Sequence, residues 1–468
     1  MPETMRIIIS DLHIGRNDDF DIFKSANKTE ALSTLLSYWG GQKNPVELIV
    51  NGDFVDFLQL RPWNQFGRKT ALDKISEITQ ANAQVFDIFG KFLQNPEHCI
   101  TVLLGNHDVE LAYPEVWAKV EKAILASAGG AEGRLRFLKD RTTHRFTING
   151  VLAHVEHGNA NDRWNALNYI SLFQDAETST ETFRYPPGTS FVFDVMNKFK
   201  EQFRFVDLLK PEVPAVPLIL LALRPWAASL AMPGATLDAR AALGNGFLSG
   251  LRRRIAGPAL APREGSALTP SELLAQEMAA QYAAALFETR PSLASSDADE
   301  VENFFGASAT PEELPVHAAL GPKMDRAKKY LLAAALATLE RFKSHQNRDA
   351  FFAADHPKNP AATWAKSRLV GDVRIVVFGH THEALKTEFP EGVYINSGAW
   401  ANLIGMPQGG LKDLSEWLEK IARNTFDVTS FPTYVKLAPF DKGALVSLNA
   451  WSAGNEEPLW EKSISASS

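Results

Sequence analysis

Short apolar runs that end abruptly in polar residues alternate with helical patterns over the first 160 residues. The runs at 6–10, 46–51 and 100–104 are rich in β-branched residues or leucine, and they predict three strands. Between the second and third runs, apolar residues recur near helical spacing over 73–93, which predicts a helix. Short strands that alternate with helices are typical of a layered α/β domain.

More strands are predicted around a hairpin signal and towards the C-terminus. Residues 146–148 and 151–155 flank Asn149-Gly150, a dipeptide that favours a two-residue hairpin turn. Downstream runs also predict strands, the last two as an antiparallel pair; these runs are 373–378, 393–396, 434–437 and 444–451.

The stretch from 161 to 370 differs from the rest of the chain. It lacks strand-like runs, is punctuated by Pro and Gly at 211–265, and then becomes rich in Ala, with its best helical patterns at 272–289 and 324–344. We therefore expect one catalytic domain, formed by residues 1–160 and 371–468. A large, mostly helical insertion at 161–370 interrupts it, and this insertion could cap the site.

Composition narrows the function classes. The 468 residues are 45% hydrophobic and 22% charged, as in ordinary globular proteins. With 48 basic and 55 acidic residues the net charge is −7, so we expect no nucleic-acid partner. A single cysteine, Cys99, cannot form an internal disulfide, and we expect no signal peptide, because a strand-like apolar run already occupies residues 5–9. The expected location is the cytoplasm.

One apolar run raises the question of a membrane. Residues 214–232 contain three prolines and Arg224, whereas a spanning helix needs about 20 uninterrupted apolar residues. Because residues 216–223 are all apolar or Pro, this part would be costly to leave in water. It is interpreted as core of the insertion, a dimer contact, or a surface for peripheral contact with membrane or acyl chains.

Five polar clusters follow predicted strands, and their side chains are potential metal ligands. Residues i and i+2 of an extended chain project to the same side. The pairs Asp11/His13 and His380/His382 can therefore each direct two ligand atoms to one centre or to two adjacent ones. Glycines before Asp53, Asn106 and His380 allow the backbone to approach the site closely. Divalent first-row metals accept imidazole, carboxylate and amide donors. The clusters are Asp11-Leu12-His13, Gly52-Asp53-Phe54-Val55-Asp56, Gly105-Asn106-His107-Asp108, His157-Gly158 and Gly379-His380-Thr381-His382.

The order of these clusters closely resembles the calcineurin-like metallophosphoesterase superfamily, whose pattern is D-x-H, G-D-x-x-D, G-N-H-D/E, a histidine after a strand, and G-H-x-H. All five motifs occur in order. The resemblance implies an α/β fold, a four-layer α-β-β-α sandwich of two mixed sheets. It also implies a dinuclear centre at one edge of the sheets, containing two divalent ions such as Mn, Fe or Zn.

The resemblance also implies a role for each matching residue. Asp53 would bridge the two cations, and a hydroxide held between them would attack phosphorus. His107 would stabilise charge or protonate the leaving oxygen, with Asp108 orienting its imidazole. One cation would be bound by Asp11, His13 and His382, and the other by Asn106, His157 and His380.

Other polar residues are interpreted separately. The polar cluster at 159–165 is either the start of a helix or a substrate-binding segment, with Asn161 and Arg163 as the contacts. His154 lies inside an apolar run and is expected to be a packed or hydrogen-bonded strand residue. Asp56 is expected to support its loop rather than bind metal.

The implied reaction is metal-dependent hydrolysis of phosphate esters in a small phosphorylated substrate, selected by the helical cap. The alternative is a nucleotide-sugar or lipid-precursor pyrophosphatase. However, UDP-2,3-diacylglucosamine hydrolases typically carry arginine after the asparagine, where this chain has His107. A DNA repair nuclease and a non-catalytic scaffold are further alternatives. The net charge argues against the former, and the full set of ligand residues argues against the latter.

Overall fold

The computed structural model describes the greater part of the predicted catalytic domain and little of the predicted insertion. The described residues are 3–63, 65–139, 143–162, 165–178, 183–186, 188–189, 192, 197–200, 204–208, 352–353, 360–404, 416–417, 420–421 and 423–466. The apolar run at 214–232, the helices predicted at 272–289 and 324–344, and Arg163 lie outside them. The domain boundaries at 160 and 371 and the helical cap therefore stay predictions.

The chain divides into two compact units. The first consists of Met1–Leu208, Arg348–Gly405 and Asp427–Ser468, and the second of Leu209–Asn347 and Met406–Phe426. Both large sheets and all the residues considered below belong to the first unit. No helix within the described residues is long and apolar enough to cross a membrane.

The first sheet has seven strands in the order β15-β14-β13-β1-β2-β3-β4. Strands β1 to β4 run parallel, and β13 to β15 join them in antiparallel pairing. The strands are β1 (Met5–Ile9), β2 (Val46–Asn51), β3 (Cys99–Leu103), β4 (Leu135–Phe137), β13 (Thr433–Phe440), β14 (Gly443–Ser452) and β15 (Asn455–Ser465).

The second sheet has six strands in the order β5-β6-β8-β10-β9-β7 and is also mixed. Strands β6, β8 and β10 are parallel, whereas β5 and β9 pair antiparallel with their neighbours β6 and β10. The strands are β5 (Thr143–Ile148), β6 (Val151–Glu156), β7 (Phe352–Ala353), β8 (Val373–Phe378), β9 (Ala384–Phe389) and β10 (Gly392–Ser397); a separate pair consists of β11 (Leu403–Ile404) and β12 (Val428–Thr429). The prediction of an α/β fold with two mixed sheets is confirmed.

The helices follow the strands along the chain. Within the described residues the α-helices are α1 (Ala26–Gly40), α2 (Arg68–Ala81), α3 (Ala83–Phe92), α4 (Pro114–Leu125), α5 (Tyr169–Glu177), α6 (Asn197–Lys200) and α7 (Pro360–Lys366). The prediction of a single helix over 73–93 is wrong, because the helix is interrupted at Asn82, which separates α2 from α3. The side-chain Nδ2 of Asn82 donates to the backbone carbonyl of Gly15 at 2.8 Å. This contact is with a loop distant in sequence, so the spacing of apolar residues over 73–93 could not predict it.

Alternating side chains of β1 belong to two different cores. Ile7 and Ile9 pack with α1 residues such as Leu32, whereas Ile8 packs with residues of the second sheet such as Val377. Because side chains of a strand alternate between its faces, the first sheet is apolar on both sides. This explains why the β1 run is uninterrupted in sequence.

Candidate metal centre

The five polar clusters meet because their strands run in the same direction within each sheet. The first three follow the carboxyl ends of β1, β2 and β3, which are parallel neighbours. The last two follow β6 and β8, parallel neighbours in the second sheet. Carboxyl ends of parallel strands are where open α/β sheets form their sites. The backbone amide of Gly379 donates to the carbonyl of His157 at 2.9 Å, which joins the two loops of the second sheet.

Four of the predicted ligands form a compact buried cluster that could hold a metal ion. Asp11, His13, Asp53 and His382 each offer one ligand atom, and these atoms lie within 4.8 Å of one another. Nε2 of His13 is 2.9 Å from Nε2 of His382 and 3.6 Å from Oδ2 of Asp53. Oδ1 of Asp11 is 3.2 Å from Nε2 of His382. Imidazole and carboxylate donors in this arrangement fit a divalent first-row cation.

Asp53 also faces the remaining predicted ligands. Its Oδ2 is 3.2 Å from Nε2 of His157, and that nitrogen is 3.2 Å from Oδ1 of Asn106. The His380 ring lies beside that of His157, with 5.4 Å between ring centroids. Oδ2 of Asp53 thus lies between the imidazoles of His13 and His157.

Left-handed backbone conformations are concentrated at these residues. A residue other than glycine that is held at positive φ, where its backbone conformation is sparsely populated, costs of order 1–3 kcal/mol of folding free energy. Such residues cluster at functional sites. Five of the seven predicted ligands adopt it, namely Asp11 (φ 53°), His13 (52°), Asp53 (50°), His380 (68°) and His382 (60°). The loops are therefore held in conformations that direct side chains inward rather than relaxed into ordinary turns.

The glycines before the ligands are required by close approach. A Cβ on Gly105 would lie 2.1 Å from Oδ1 of Asp53, and a Cβ on Gly52 would lie 2.4 Å from Nδ1 of His157. Such distances are far inside van der Waals contact, so any side chain would displace a predicted ligand. The prediction that these glycines let the backbone approach the site is confirmed.

Charges at the site strongly influence one another. Burial raises the pKa of Asp11, but the neighbouring His382 outweighs it and the pKa falls to about 2. The pKa of Asp53 lies well below its ordinary value, because His157, His107 and His13 outweigh burial. Burial lowers the pKa of His157, but Asp53 overcomes this and raises it to about 9. The carboxylates are thus ionised at neutral pH, as metal ligands must be.

His107 contacts Asp56 rather than the expected carboxylate. Its Nδ1 is 3.0 Å from Oδ2 of Asp56. The two oxygens of Asp108 instead accept backbone N–H groups, at 2.7 Å from Gly105 and 2.8 Å from Phe54. The orienting contact assigned to Asp108 is therefore corrected. Asp108 closes the loop, and burial followed by the charge of Asp53 raises its pKa to about 8.

Asp56 has two functions, of which the sequence analysis predicted only one. One oxygen supports the loop as expected, by accepting backbone N–H groups of Leu58 at 2.8 Å and Gln59 at 3.2 Å. The other is 2.9 Å from Nδ1 of His13 as well as close to His107. His13, Asp56 and His107 also satisfy the geometry of a three-residue group able to hold an ion. In the sequence, the signal for Asp56 is its position as the second carboxylate of the G-D-x-x-D motif.

The segment after His157 contributes a contact that the sequence analysis did not assign. Oδ2 of Asp162 lies 3.1 Å from Nε2 of His380. Asn161, expected to bind substrate, directs its Oδ1 towards the guanidinium of Arg368 at 3.4 Å. Arg163, the other expected contact, lies outside the described residues, so the substrate role of both stays a prediction.

Other residues support the loops. Nδ2 of Asn396, at the end of β10, donates to the carbonyl of Gly379 at 2.6 Å, and the Trp400 amide donates to the carbonyl of Asp11 at 3.1 Å. Segment 396–400 therefore packs beside the ligand loops. His154 is a buried residue of β6 hydrogen-bonded to Arg145 and Glu156, which confirms its interpretation as a strand residue.

Comparison with known proteins adds little to this description. No family model matches the chain, and no curated protein matches it. Among solved structures it is similar to a dimetal phosphatase from Danio rerio, with 9% identity and a TM-score of 0.32 over the whole of both chains. The function proposed below therefore depends on the site itself.

Proposed function

We propose that this protein is a metal-dependent hydrolase of phosphate esters, as the resemblance of its five motifs to calcineurin-like metallophosphoesterases implies. The observation that supports it most is the convergence of Asp11, His13, Asp53 and His382, which come from three separate loops of the chain. Around them lie the other predicted ligands and a partly exposed histidine, His107, whose ring contacts a buried carboxylate. The α-β-β-α layering implied by the resemblance is part of the same proposal.

The donor set fits two divalent cations. Asp11, His13 and His382 would hold one, Asn106, His157 and His380 the other, and Asp53 would join them. When bound, such cations polarise phosphoryl oxygens and supply a nucleophile from water at neutral pH. Mn, Fe and Zn suit this set better than Mg, because imidazole donors favour later transition metals, while Mg prefers oxygen ligands and retains its water.

Asp56 determines which nitrogens of two histidines face the site. Both Nδ1 atoms contact its Oδ2, so each ring donates Nδ1–H to the carboxylate. This tautomer leaves a lone pair on Nε2 of His13, directed at the cluster. For His107 it makes Nε2 the nitrogen that carries a transferable proton when the ring is charged. In this proposal His107 gives that proton to the leaving oxygen of the substrate.

The insertion is proposed to select the substrate. Every predicted metal ligand lies outside residues 161–370, so the insertion supplies no ligand to the centre. It connects His157 to the strand that leads to His380 and can thereby contact a small phosphorylated molecule bound at the ligands. A mono-, di- or pyrophosphate ester would bind through the same phosphoryl group.

The test is an activity panel on metal-stripped, full-length protein. Protein treated with EDTA is reloaded with Mn²⁺ or Mg²⁺ and assayed against a phosphomonoester, a phosphodiester and a nucleotide sugar. We expect no turnover without metal and better recovery with Mn²⁺ than with Mg²⁺ on at least one substrate class. Protein that binds Mn²⁺ but hydrolyses no ester would contradict the proposal, as would full activity in EDTA.

A further inference from the structure

Two of the histidines predicted to bind metal, His13 and His157, each have Nδ1 held by an acceptor that is not a predicted ligand. Nδ1 of His13 contacts Oδ2 of Asp56 at 2.9 Å, and Nδ1 of His157 contacts the backbone oxygen of Asn51 at 2.8 Å. In both rings this leaves Nε2 directed at Asp53. Fixing the far nitrogen of an imidazole sets its tautomer and orientation, which is how proteins position metal-binding histidines.

His380 shows the same arrangement with its two nitrogens exchanged. Its Nε2, rather than Nδ1, contacts a carboxylate, Oδ2 of Asp162 at 3.1 Å. The backbone amide of His380 donates to both carboxylate oxygens of Asp11 at 3.1 Å, so its main chain is already held against the cluster. With Nε2 engaged by Asp162, Nδ1 is the nitrogen left to bind a cation.

The Asp162 carboxylate is itself held in place. Nδ2 of Asn165 donates to the same oxygen at 2.7 Å, and Nδ2 of Asn159 donates to the backbone carbonyl of Asn165 at 2.8 Å. The hydroxyl of Tyr169 donates to Oδ1 of Asn159 at 2.8 Å. The Asp162 carboxylate is therefore held by Asn165 as well as by His380.

The same loop reaches a second predicted ligand. Nδ2 of Asn106 donates to Oδ1 of Asn165 at 3.5 Å, which leaves Oδ1 of Asn106 facing His157 at 3.2 Å. His157 itself precedes the loop directly in sequence. All three residues assigned to one cation are thus connected to this segment, whereas His13, which is assigned to the other cation, is held by Asp56.

We propose that Asp162 is a positioning residue that fixes His380 for the cation shared with Asn106 and His157, an inference that rests on the proposed function. Its negative charge also makes the imidazole a stronger donor. Removing such a carboxylate usually lowers metal affinity 10- to 100-fold. The effect should fall on one cation and spare the one assigned to Asp11, His13 and His382.

The experiment is a calorimetric Mn²⁺ titration of metal-stripped, full-length protein. Wild type should show two binding steps. In Asp162→Ala we expect one step weakened about 10- to 100-fold and the other unchanged. Asp162→Asn should fall between the two, because its amide oxygen can still accept from Asn165 and His380 but carries no charge. Asp372→Ala, at an exposed aspartate in the turn before β8, is the matched control and should bind as wild type does.

A thermal melt of each variant in EDTA separates positioning from a purely structural role. Positioning predicts apo melting temperatures equal to wild type and a smaller Mn²⁺-induced rise. Weakening of both steps together with a lower apo melting temperature would overturn the inference, as would two unchanged steps in Asp162→Ala. In both of these outcomes the wild-type protein still binds Mn²⁺, so only the role of Asp162 is overturned. If the wild-type protein itself binds no Mn²⁺, the proposed function is overturned.

Discussion

Oδ2 of Asp56 lies 3.0 Å from Nδ1 of His107, and this contact joins the second motif of the chain to the third. The carboxylate is buried, which by itself would raise its pKa, but His107 and His13 outweigh burial and hold the pKa well below its ordinary value. Asp56 therefore remains ionised and accepts from both rings. A single carboxylate orients a predicted ligand and a predicted general acid.

Replacing His107 should reduce the rate without removing metal. We expect His107→Asn to cost about 10²- to 10⁴-fold in kcat, the usual contribution of a positioned acid, and less with good leaving groups that need no proton. Metal content measured by elemental analysis should equal that of wild type. His144→Asn, at a β5 histidine that contacts Glu47, is the control and should keep full activity. Loss of metal from His107→Asn would instead make the His13–Asp56–His107 group a metal site.

Replacing Asp53 should affect metal and turnover together. Its Oδ2 is within 3.6 Å of Nε2 in both His13 and His157, so in the proposed centre one carboxylate would bind both cations. Asp53→Asn should lower metal stoichiometry and nearly abolish hydrolysis, since an amide cannot bridge two cations as a carboxylate does. Asp87→Asn on α3, whose carboxylate pairs with Lys91, is the control. Wild-type stoichiometry and activity in Asp53→Asn would refute the bridging role.

A single methyl group at Gly105 should disrupt the centre. The added Cβ would lie 2.1 Å from Oδ1 and 2.4 Å from the backbone nitrogen of Asp53, so the aspartate has to move. Gly105→Ala should therefore bind less Mn²⁺ and lose most activity. Gly40→Ala provides the comparison, because a Cβ there meets only ordinary contacts at 3.7 Å. Equal metal binding in the two variants would show that Asp53 is not held by this close approach.

Acid should remove stability contributed by Glu47. This residue of β2 accepts hydrogen bonds from Arg6 at 3.0 Å and Thr101 at 2.6 Å in its own sheet, and its Oε1 is 3.0 Å from Nε2 of His144 in the other. Burial raises its pKa, but His144, Thr101 and Arg6 outweigh it and lower the pKa from 4.5 to about 2. Its contribution is therefore present above the unfolded value of 4.5 and lost as pH falls towards 2. A shift of this size corresponds to about 3 kcal/mol.

Melting temperatures measured in EDTA provide the test for Glu47. Glu47→Gln should melt below wild type at pH 6, and the difference should shrink as the pH falls from 5 to 3, because the wild-type carboxylate becomes protonated while the amide does not change. Glu97→Gln, an exposed residue before β3, should show no such trend. A pH-independent difference between Glu47→Gln and wild type would mean that the variant acts through packing rather than charge.

Much of the fold could be predicted from local pattern. Strands at 46–51 and 373–378 are observed with the predicted bounds, because residues buried on both faces of a parallel sheet form apolar runs. The hairpin at Asn149-Gly150 is confirmed, with φ of 45° and 82°, since these residues tolerate positive φ. Strand β15 was not predicted, because it lies at an edge of the sheet and its exposed charged residues interrupt any alternation.

The sequence by itself determined the composition of the candidate site, since ligand types, glycines and spacing within each loop are local properties. Only the tertiary structure decided which carboxylate meets which imidazole. Asp108 is adjacent to His107 in sequence, yet the contact is made by Asp56, and His380 meets Asp162 from 218 residues away. Hydrogen-bond partners depend on the directions in which strand ends and left-handed turns point their side chains. Those directions are set by sheet pairing, which brings distant segments together and leaves no local trace in the chain.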